Sequence, residues 1–290
     1  MNQSIFDVIK RRFSCRIHTD KLIDEDIQLR IKEFLETHNV GPFGNQMRFA
    51  LIAATEDDHQ ALKSLGTYGF IKGAKGFIVG ALGAGPKNLE DFGYIMEYAI
   101  LFATDLGLGT CWLGGSFTKS KFAKKINATE KETVPAVTSI GYIAEHSKAK
   151  DWIRSKAGGA ARLPAEQLFF QETFGNPVPL QQIGTYAQVL DAVRWAPSAS
   201  NKQPWRIVRV GDNWHFYLLR TKGYGRDSLF GKLLRVADLQ RVDMGIAMCH
   251  FELTAHALGL KGHWALDDPD IEKRGENSEY TVSWITDLHD

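Results

Sequence analysis

Cysteine is scarce in this chain: Cys15, Cys111 and Cys249 are the only three among 290 residues, and they lie far apart. No CxxC pair exists, which argues against a thioredoxin-type redox pair and a zinc knuckle. An odd, dispersed set fits a reducing compartment rather than a disulfide framework. Long apolar runs are lacking as well. The most apolar stretch, Phe77 to Ala84, falls far short of the roughly 18 residues that a membrane-spanning helix needs. Met1 to Lys10 carries no apolar core behind a basic stretch, so no secretory signal is visible and a soluble, cytoplasmic protein is expected. Neither sign of charge dominates, since 35 Lys and Arg face 34 Asp and Glu for a net charge of +1. A dedicated nucleic-acid binder carries a marked basic excess. Neither nucleic acid nor membrane is therefore expected as a partner.

Several chemical signatures are also missing. There is no Walker A sequence and no Gly-x-Ser-x-Gly elbow. Gly83-Ala84-Gly85 follows an apolar run, but Asn88 stands where the third glycine of a dinucleotide fingerprint belongs. The nine histidines form no HExxH pattern. His250 and His256 are six apart on one expected helix, a poor spacing for shared ligation, so packed or hydrogen-bonded histidines are expected and no metal.

What is present is enough apolar residue, 44%, to bury a large core. The length suits one large unit or two of roughly 150 residues. Periodicity and stop signals predict helices over Met1–Arg11, Asp24–Thr37 (Asp24 as N-cap), Asp91–Leu106, Tyr186–Trp195 and Leu239–Leu258. Strands are predicted over Arg48–Ala54, Gly76–Leu82, Ala136–Ile143, Trp205–Val210, Trp214–Leu219 and Thr281–Ile285. Residues 144–165 change character and read as a surface loop.

The two halves resemble each other. Gly93, Met96, Leu106, Gly107, Leu108 and Trp112 have counterparts in Gly245, Met248, Leu258, Gly259, Leu260 and Trp264. The separation is 152 positions throughout, as from Leu106 to Leu258 and from Trp112 to Trp264. Upstream, the Gly41–Phe49 segment loosely echoes Ala196–Ile207. A long-period duplication of this kind suggests a fused dimer of one ancestral unit. The helices before Gly107 and Gly259 are apolar on most faces, which marks them as buried and able to pack at the centre of a pseudo-dimer.

Three segments carry chemistry. Arg12-Phe13-Ser14-Cys15-Arg16 places two guanidinium forks and a hydroxyl within five residues, a set suited to an anion. A solvated turn pairing with Asp20, Asp24 or Glu25 is the other reading of the same residues. Pro197-Ser198-Ala199-Ser200-Asn201-Lys202-Gln203-Pro204-Trp205 combines small residues, which let backbone approach a planar ligand, with donors and acceptors for a heteroaromatic edge. Gly107 to Gly115 follows a buried helix, and Gly114-Gly115 offers bare backbone N–H groups. Its second-half counterpart, Lys261 to Leu266, has lost the glycine pair.

Together these segments resemble the flavin-dependent nitroreductase family. Arg12-x-Ser14-x-Arg16 is similar to the family's N-terminal Arg-x-Ser-x-Arg element. Residues 197–205 are similar to its Pro-Ser-x-x-Asn-x-Gln-Pro-Trp loop, and Leu106–Gly115 to its Leu-Gly-Leu-Gly-x-x-Trp-x-Gly segment. Arg162-Leu163-Pro164 is similar to its late Arg-x-Pro element, although Ala160 stands where a second basic residue is common. The fold implied is α+β and nitroreductase-like, with two tandem halves, 1–165 and 166–290, packed as an intramolecular pseudo-dimer around the apolar helices.

The resemblance further implies FMN as cofactor and NAD(P)H as electron donor to N5. A small acceptor, such as a nitroaromatic or quinone, then takes the electrons in a ping-pong cycle. Arg12, Ser14, Arg16 and Arg162 would hold the phosphate and ribityl chain. Gly114 and Gly115 would face N5 and O4, and Pro197, Ser198, Ala199 and Asn201 would line the ring. Phe13 and Leu113 complete the cofactor set. No side chain is expected to act as catalytic acid or base. The first half keeps the arginine and glycine elements and the second half keeps the Pro-Ser loop. One FMN per chain and a monomer are therefore expected. A non-catalytic FMN-binding protein, for storage or regulation, and a fold-only member are the alternatives that stay open.

Overall fold

The computed structural model describes residues 1–290 except 2, 55–61, 63, 64, 68, 116, 146–160, 223–236, 272–276 and 288–290. The chain divides into two compact units, Met1–Gly159 and Ala160–Asp290. Most of the 144–165 stretch expected as a surface loop lies outside the described residues.

Unit 1 runs α1 (Ile5–Arg11), α2 (Glu25–Thr37), β1 (Met47–Ala53), β2 (Gly76–Leu82), α3 (Asn88–Asp105), β3 (Leu108–Leu113), α4 (Lys119–Lys125) and β4 (Val137–Tyr142). Its sheet has the order β1-β2-β4-β3, with every neighbour antiparallel. All seven residues of β2 are buried. The continuous apolar run Phe77–Leu82 therefore reads as a strand covered on both faces. Asp24 precedes α2 but makes no side-chain cap. Its carboxylate instead accepts from the Tyr142 hydroxyl at 2.6 Å and from the Lys21 ammonium at 3.0 Å. These partners hold the acid away from the helix end, where the sequence places it.

Unit 2 runs β5 (Phe169–Gln171), α5 (Tyr186–Trp195), a 3-10 turn at Ala199–Asn201, β6 (Trp205–Val210), β7 (Asn213–Leu219), α6 (Leu239–Ala257), β8 (Gly262–Ala265) and β9 (Ser278–Thr286). Its sheet has the order β5-β6-β7-β9-β8, and β5 joins β6 in parallel. Without β5, the order is first, second, fourth, third, as in unit 1, with the same antiparallel pairings. The duplication seen in the sequence thus extends to strand order, and both sheets carry a long helix between their second and third strands. The architecture is α+β, as the sequence predicts.

Each unit has its own packed core. In unit 1, Phe77, Val79, Leu113, Phe117, Phe122 and Val137 share one buried cluster. Phe122 from α4 meets Phe77 and Phe117 edge-on at 5.0 and 5.5 Å. Leu113, which precedes the Gly114-Gly115 pair, and Phe117, which follows it, are both buried. In unit 2, Trp214, Phe216, Trp264 and Trp284 surround Phe251 of α6 at 5.3–6.1 Å. Fully burying side chains of this size contributes about 1.5–3 kcal/mol each. All three cysteines are buried and unbridged. Among the described residues, no helix is long and apolar enough to cross a membrane.

Candidate functional site

In unit 1, α1 ends at Arg11 and the chain becomes extended from Arg12. Ser14 bridges Thr110 in parallel, and the Cys15 N–H donates to the Thr110 carbonyl at 2.7 Å. The segment therefore lies alongside β3. Successive residues of an extended chain alternate in direction. Cys15 is fully buried, so Ser14 and Arg16 take the other face. Arg12 is itself buried, with Nε 3.6 Å from the Glu97 carboxylate of α3. Glu97 also accepts the Trp112 indole N–H at 2.7 Å, so one acid fixes both an arginine of the segment and a side chain of β3. Arg12, Phe13, Leu108, Gly109 and Thr110 line a shared pocket with Arg11. β3 then leads directly into Gly114 and Gly115.

His18 continues the segment. Its N–H donates to the Lys72 carbonyl at 2.9 Å, and its ring is buried with Nδ1 3.9 Å from the Cys15 sulfur. Burial pushes its pKa down to about 4, against smaller opposing contributions from the Gly141 and Cys15 backbone.

In unit 2, the Pro197–Pro204 loop is held in an unusual conformation. Ser200, Asn201 and Gln203 have φ of 50°, 53° and 48°, the left-handed region that side chains disfavour. Each such residue costs on the order of 1–3 kcal/mol and persists only where its surroundings over-determine it. The surroundings here are specific. The Gln203 N–H donates to Ser198 Oγ at 2.8 Å, which leaves the Ser198 hydroxyl proton to be donated elsewhere. Gln203 Oε1 accepts the Leu163 N–H at 2.9 Å. Asn201 Nδ2 donates to the Ala161 carbonyl at 3.0 Å.

Arg162 donates to the Trp195 carbonyl at 3.2 Å and, at 3.5 Å, to Asn201 Oδ1, with its guanidinium 5.4 Å from the Trp195 ring centroid. The sequence reading groups Arg162 with the first half, whereas these contacts tie it to the loop of unit 2.

Beneath the loop lies Asp243 of α6. It is almost wholly buried, and its Oδ1 accepts the Ala199 N–H at 2.9 Å. Oδ2 has no partner among the described residues. Burial pushes this carboxyl well above the usual carboxylate range, although the Ala199 N–H pulls the other way. Unit 1 has the same device. Asp91 of α3, also buried, accepts the Phe43 N–H at 3.0 Å, the Asn45 N–H at 3.1 Å and Asn45 Nδ2 at 2.8 Å. Burial raises the Asp91 carboxyl too, against these donors.

The structure thus brings Arg12, Phe13, Ser14 and Arg16 to the side of the strand that carries Leu113, Gly114 and Gly115. It gathers Arg162, Pro197, Ser198, Ala199 and Asn201 in the second unit. Sequence reasoning missed Glu97 and the two aspartates, whereas Gln203 lies in the Pro197–Trp205 segment it singles out. A signal for the aspartates was present, because Asp91 and Asp243 stand two residues before the matched Gly93 and Gly245.

The chain belongs to a nitroreductase family: the family model described as "Putative TM nitroreductase" matches residues 4–255. Among solved structures, a "putative nitroreductase" from Thermotoga maritima is 20% identical and covers 98% of this chain and 94% of its own, with a TM-score of 0.59. The fold described above is therefore the nitroreductase fold. A "putative nitroreductase in complex with FMN" from Desulfovibrio desulfuricans is 23% identical, covers 50% of this chain and 89% of its own, and has a TM-score of 0.40. A nitroreductase with bound FMN from Bacteroides fragilis is 20% identical, covers 50% and 90%, and has a TM-score of 0.37. No curated protein matches the chain.

Proposed function

We propose that this protein is an FMN-dependent NAD(P)H oxidoreductase that reduces a nitroaromatic, a quinone or a related small acceptor. The observation that carries the reading is the Arg12–Arg16 segment lying beside β3, the strand that ends immediately before Gly114-Gly115. Ser14 pairs with Thr110, and β3 continues from there to Leu113, immediately before Gly114.

FMN, held by these residues, would supply the redox chemistry that links NAD(P)H to the acceptor. The chain binds and orients. Arg12 and Arg16 present charge-assisted donors to phosphate, with Arg12 fixed by Glu97. Ser14 adds a hydroxyl. The N–H groups of Gly114 and Gly115 would offer positive potential to the reducible edge of the flavin, as the family resemblance implies. By the family resemblance, Pro197, Ser198, Ala199 and Asn201 of the second half would line the ring, and Arg162, which also donates to Asn201, would join Arg12, Ser14 and Arg16 at the phosphate and ribityl chain. Phe13 and Leu113 supply apolar walls. No side-chain acid or base is assigned to catalysis.

In this reading residues 1–165 give the phosphate and N5 side, and residues 166–290 the ring loop. The second half has no arginine-rich turn before Tyr186, and the first has Gly41–Met47 where a Pro-Ser loop belongs. One FMN per chain follows, in a soluble, cytoplasmic monomer. Donor and acceptor use one face in turn, so double-reciprocal plots at several NAD(P)H concentrations should be parallel.

The test is titration with FMN and with riboflavin. A charge-assisted contact is worth about 1.5–3 kcal/mol, so Arg16→Ala should weaken FMN by roughly one to two decades and leave riboflavin almost unchanged. Equal affinity of the parent for both ligands would sink the phosphate assignment.

A further inference from the structure

The acid beneath the Pro197–Pro204 loop has no place in the reading above, which accounts only for residues facing the cofactor. We propose that Asp243 is a positioning residue for the flavin ring: through the Ala199 N–H, its buried carboxyl locks the left-handed turn that presents Pro197, Ser198 and Asn201. The proposal rests on the flavin reading of that loop.

Three observations carry it. First, the hydrogen bond from the Ala199 N–H to Asp243 ties α6 to the turn at 2.9 Å, and it falls at the start of the 3-10 turn. Immediately after it, Ser200, Asn201 and Gln203 all take positive φ. A turn of this kind relaxes unless it is anchored at both ends. Ser198 Oγ and the Gln203 side chain secure its far end. Asp243 secures its beginning.

Second, the same position in the other half does the same task. Asp91, 152 positions earlier, accepts from the backbone of Phe43 and Asn45 in the loop that echoes this one. A duplicated scaffold keeps a loop staple at one place in both copies, although the loops themselves have diverged.

Third, the two staples differ chemically. Asp91 accepts three donors across both oxygens, an arrangement that suits a carboxylate. Asp243 accepts one, and its second oxygen is buried with no partner among the described residues. A buried, singly bonded carboxyl suits the neutral acid. An amide of the same shape offers the same acceptor to Ala199 and carries no charge either. Asparagine should therefore replace Asp243 in this task, and alanine should not.

The experiment compares the full-length parent, Asp243→Asn and Asp243→Ala, well below their melting transitions. Two quantities are read: the dissociation constants of FMN and riboflavin, and tryptic cleavage after the exposed Lys202 in the absence of flavin. In Asp243→Ala, FMN and riboflavin should both weaken by roughly tenfold and by the same factor, because the loop faces the ring and not the phosphate. Cleavage after Lys202 should accelerate. Asp243→Asn should stay within about threefold of the parent in both readouts. If Asp243→Ala does not fold, Ala199→Pro removes the same hydrogen bond from the loop side. Ser198 before it is already extended, as a residue preceding proline must be.

Parental affinity and parental proteolysis in Asp243→Ala overturn the assignment. So does an asparagine variant as impaired as the alanine one, since that outcome would make charge the relevant property. A parent that binds no flavin overturns the flavin reading and the functional half of this proposal. The proteolysis arm still decides whether Asp243 holds the loop.

Discussion

Protonation of His18 should unfasten the segment that carries Arg12, Ser14 and Arg16. The ring is buried between Cys15 and the Gly141 backbone, where a Cβ at position 141 would already lie 3.2 Å from Nδ1. Its Nε2 has no partner among the described residues, and the backbone contributions from Gly141 and Cys15 are too small to offset burial of a positive charge. The folded ring therefore stays neutral until about pH 4, whereas the unfolded ring takes its proton near 6.5. As pH falls through that window the unfolded chain binds the extra proton, and stability is lost. Above 6.5 the contribution is complete. The interval corresponds to about 3 kcal/mol, a sizeable part of a domain's typical 5–15 kcal/mol. Urea denaturation at pH 7 and pH 4 measures it, in the parent and in His18→Gln, which has no titrating ring. Carboxylates contribute to both proteins, so the difference between them isolates His18. At a slope of roughly 1–3 kcal/mol per molar urea, the parent midpoint should fall by about 1–3 M more than that of the variant. Parallel losses in the two proteins would refute the reasoning.

Other outcomes follow from the same geometry. Flavin released by denaturation should match the protein one to one, and a ratio of two would mean that the Gly41–Met47 side forms a second site. Residues 1–170 expressed alone should fail to retain FMN, because the Pro197–Asn201 loop is missing. Leu113 before Gly114 is in a strand, the backbone a residue preceding proline requires, and Gly114→Pro deletes one N–H. The variant should bind FMN and be reduced by NADH or NADPH roughly tenfold or more slowly, as expected for loss of a donor at a developing charge. Reduction at the parental rate would show that this N–H does not face N5.

Much of the fold can be read in the sequence because its signals are local. β2, α5 and β6 begin and end where their apolar patterns do. β3 cannot be found in this way. Leu108-Gly109-Thr110-Cys111 is buried on both faces, so no alternation marks it, and its glycines read as a turn. β8 is short and α4 is a single lysine-rich turn or two, which leaves little periodicity to detect. The site divides along the same line. The Arg-x-Ser-x-Arg, Gly-Gly and Pro-Ser elements are contiguous and therefore visible. Glu97 and Asp243 act across the fold, on Arg12 and Ala199, and within an apolar helix a single acid carries no local sign of its target. Asp24 illustrates the converse. Its position before α2 is that of a cap, yet Tyr142, distant in sequence, claims the carboxylate.

The central claim is that the chain binds FMN and turns it over. The most direct measurement is the visible absorption spectrum of the purified, FMN-loaded protein under anaerobic conditions, before and after addition of NADH or NADPH. The loaded protein should show a bound-flavin spectrum that bleaches on addition of at least one nucleotide and recovers when a quinone or nitroaromatic is added. A bound flavin that neither nucleotide bleaches would support the storage or regulatory reading. A protein that stays colourless after incubation with FMN would contradict the account altogether.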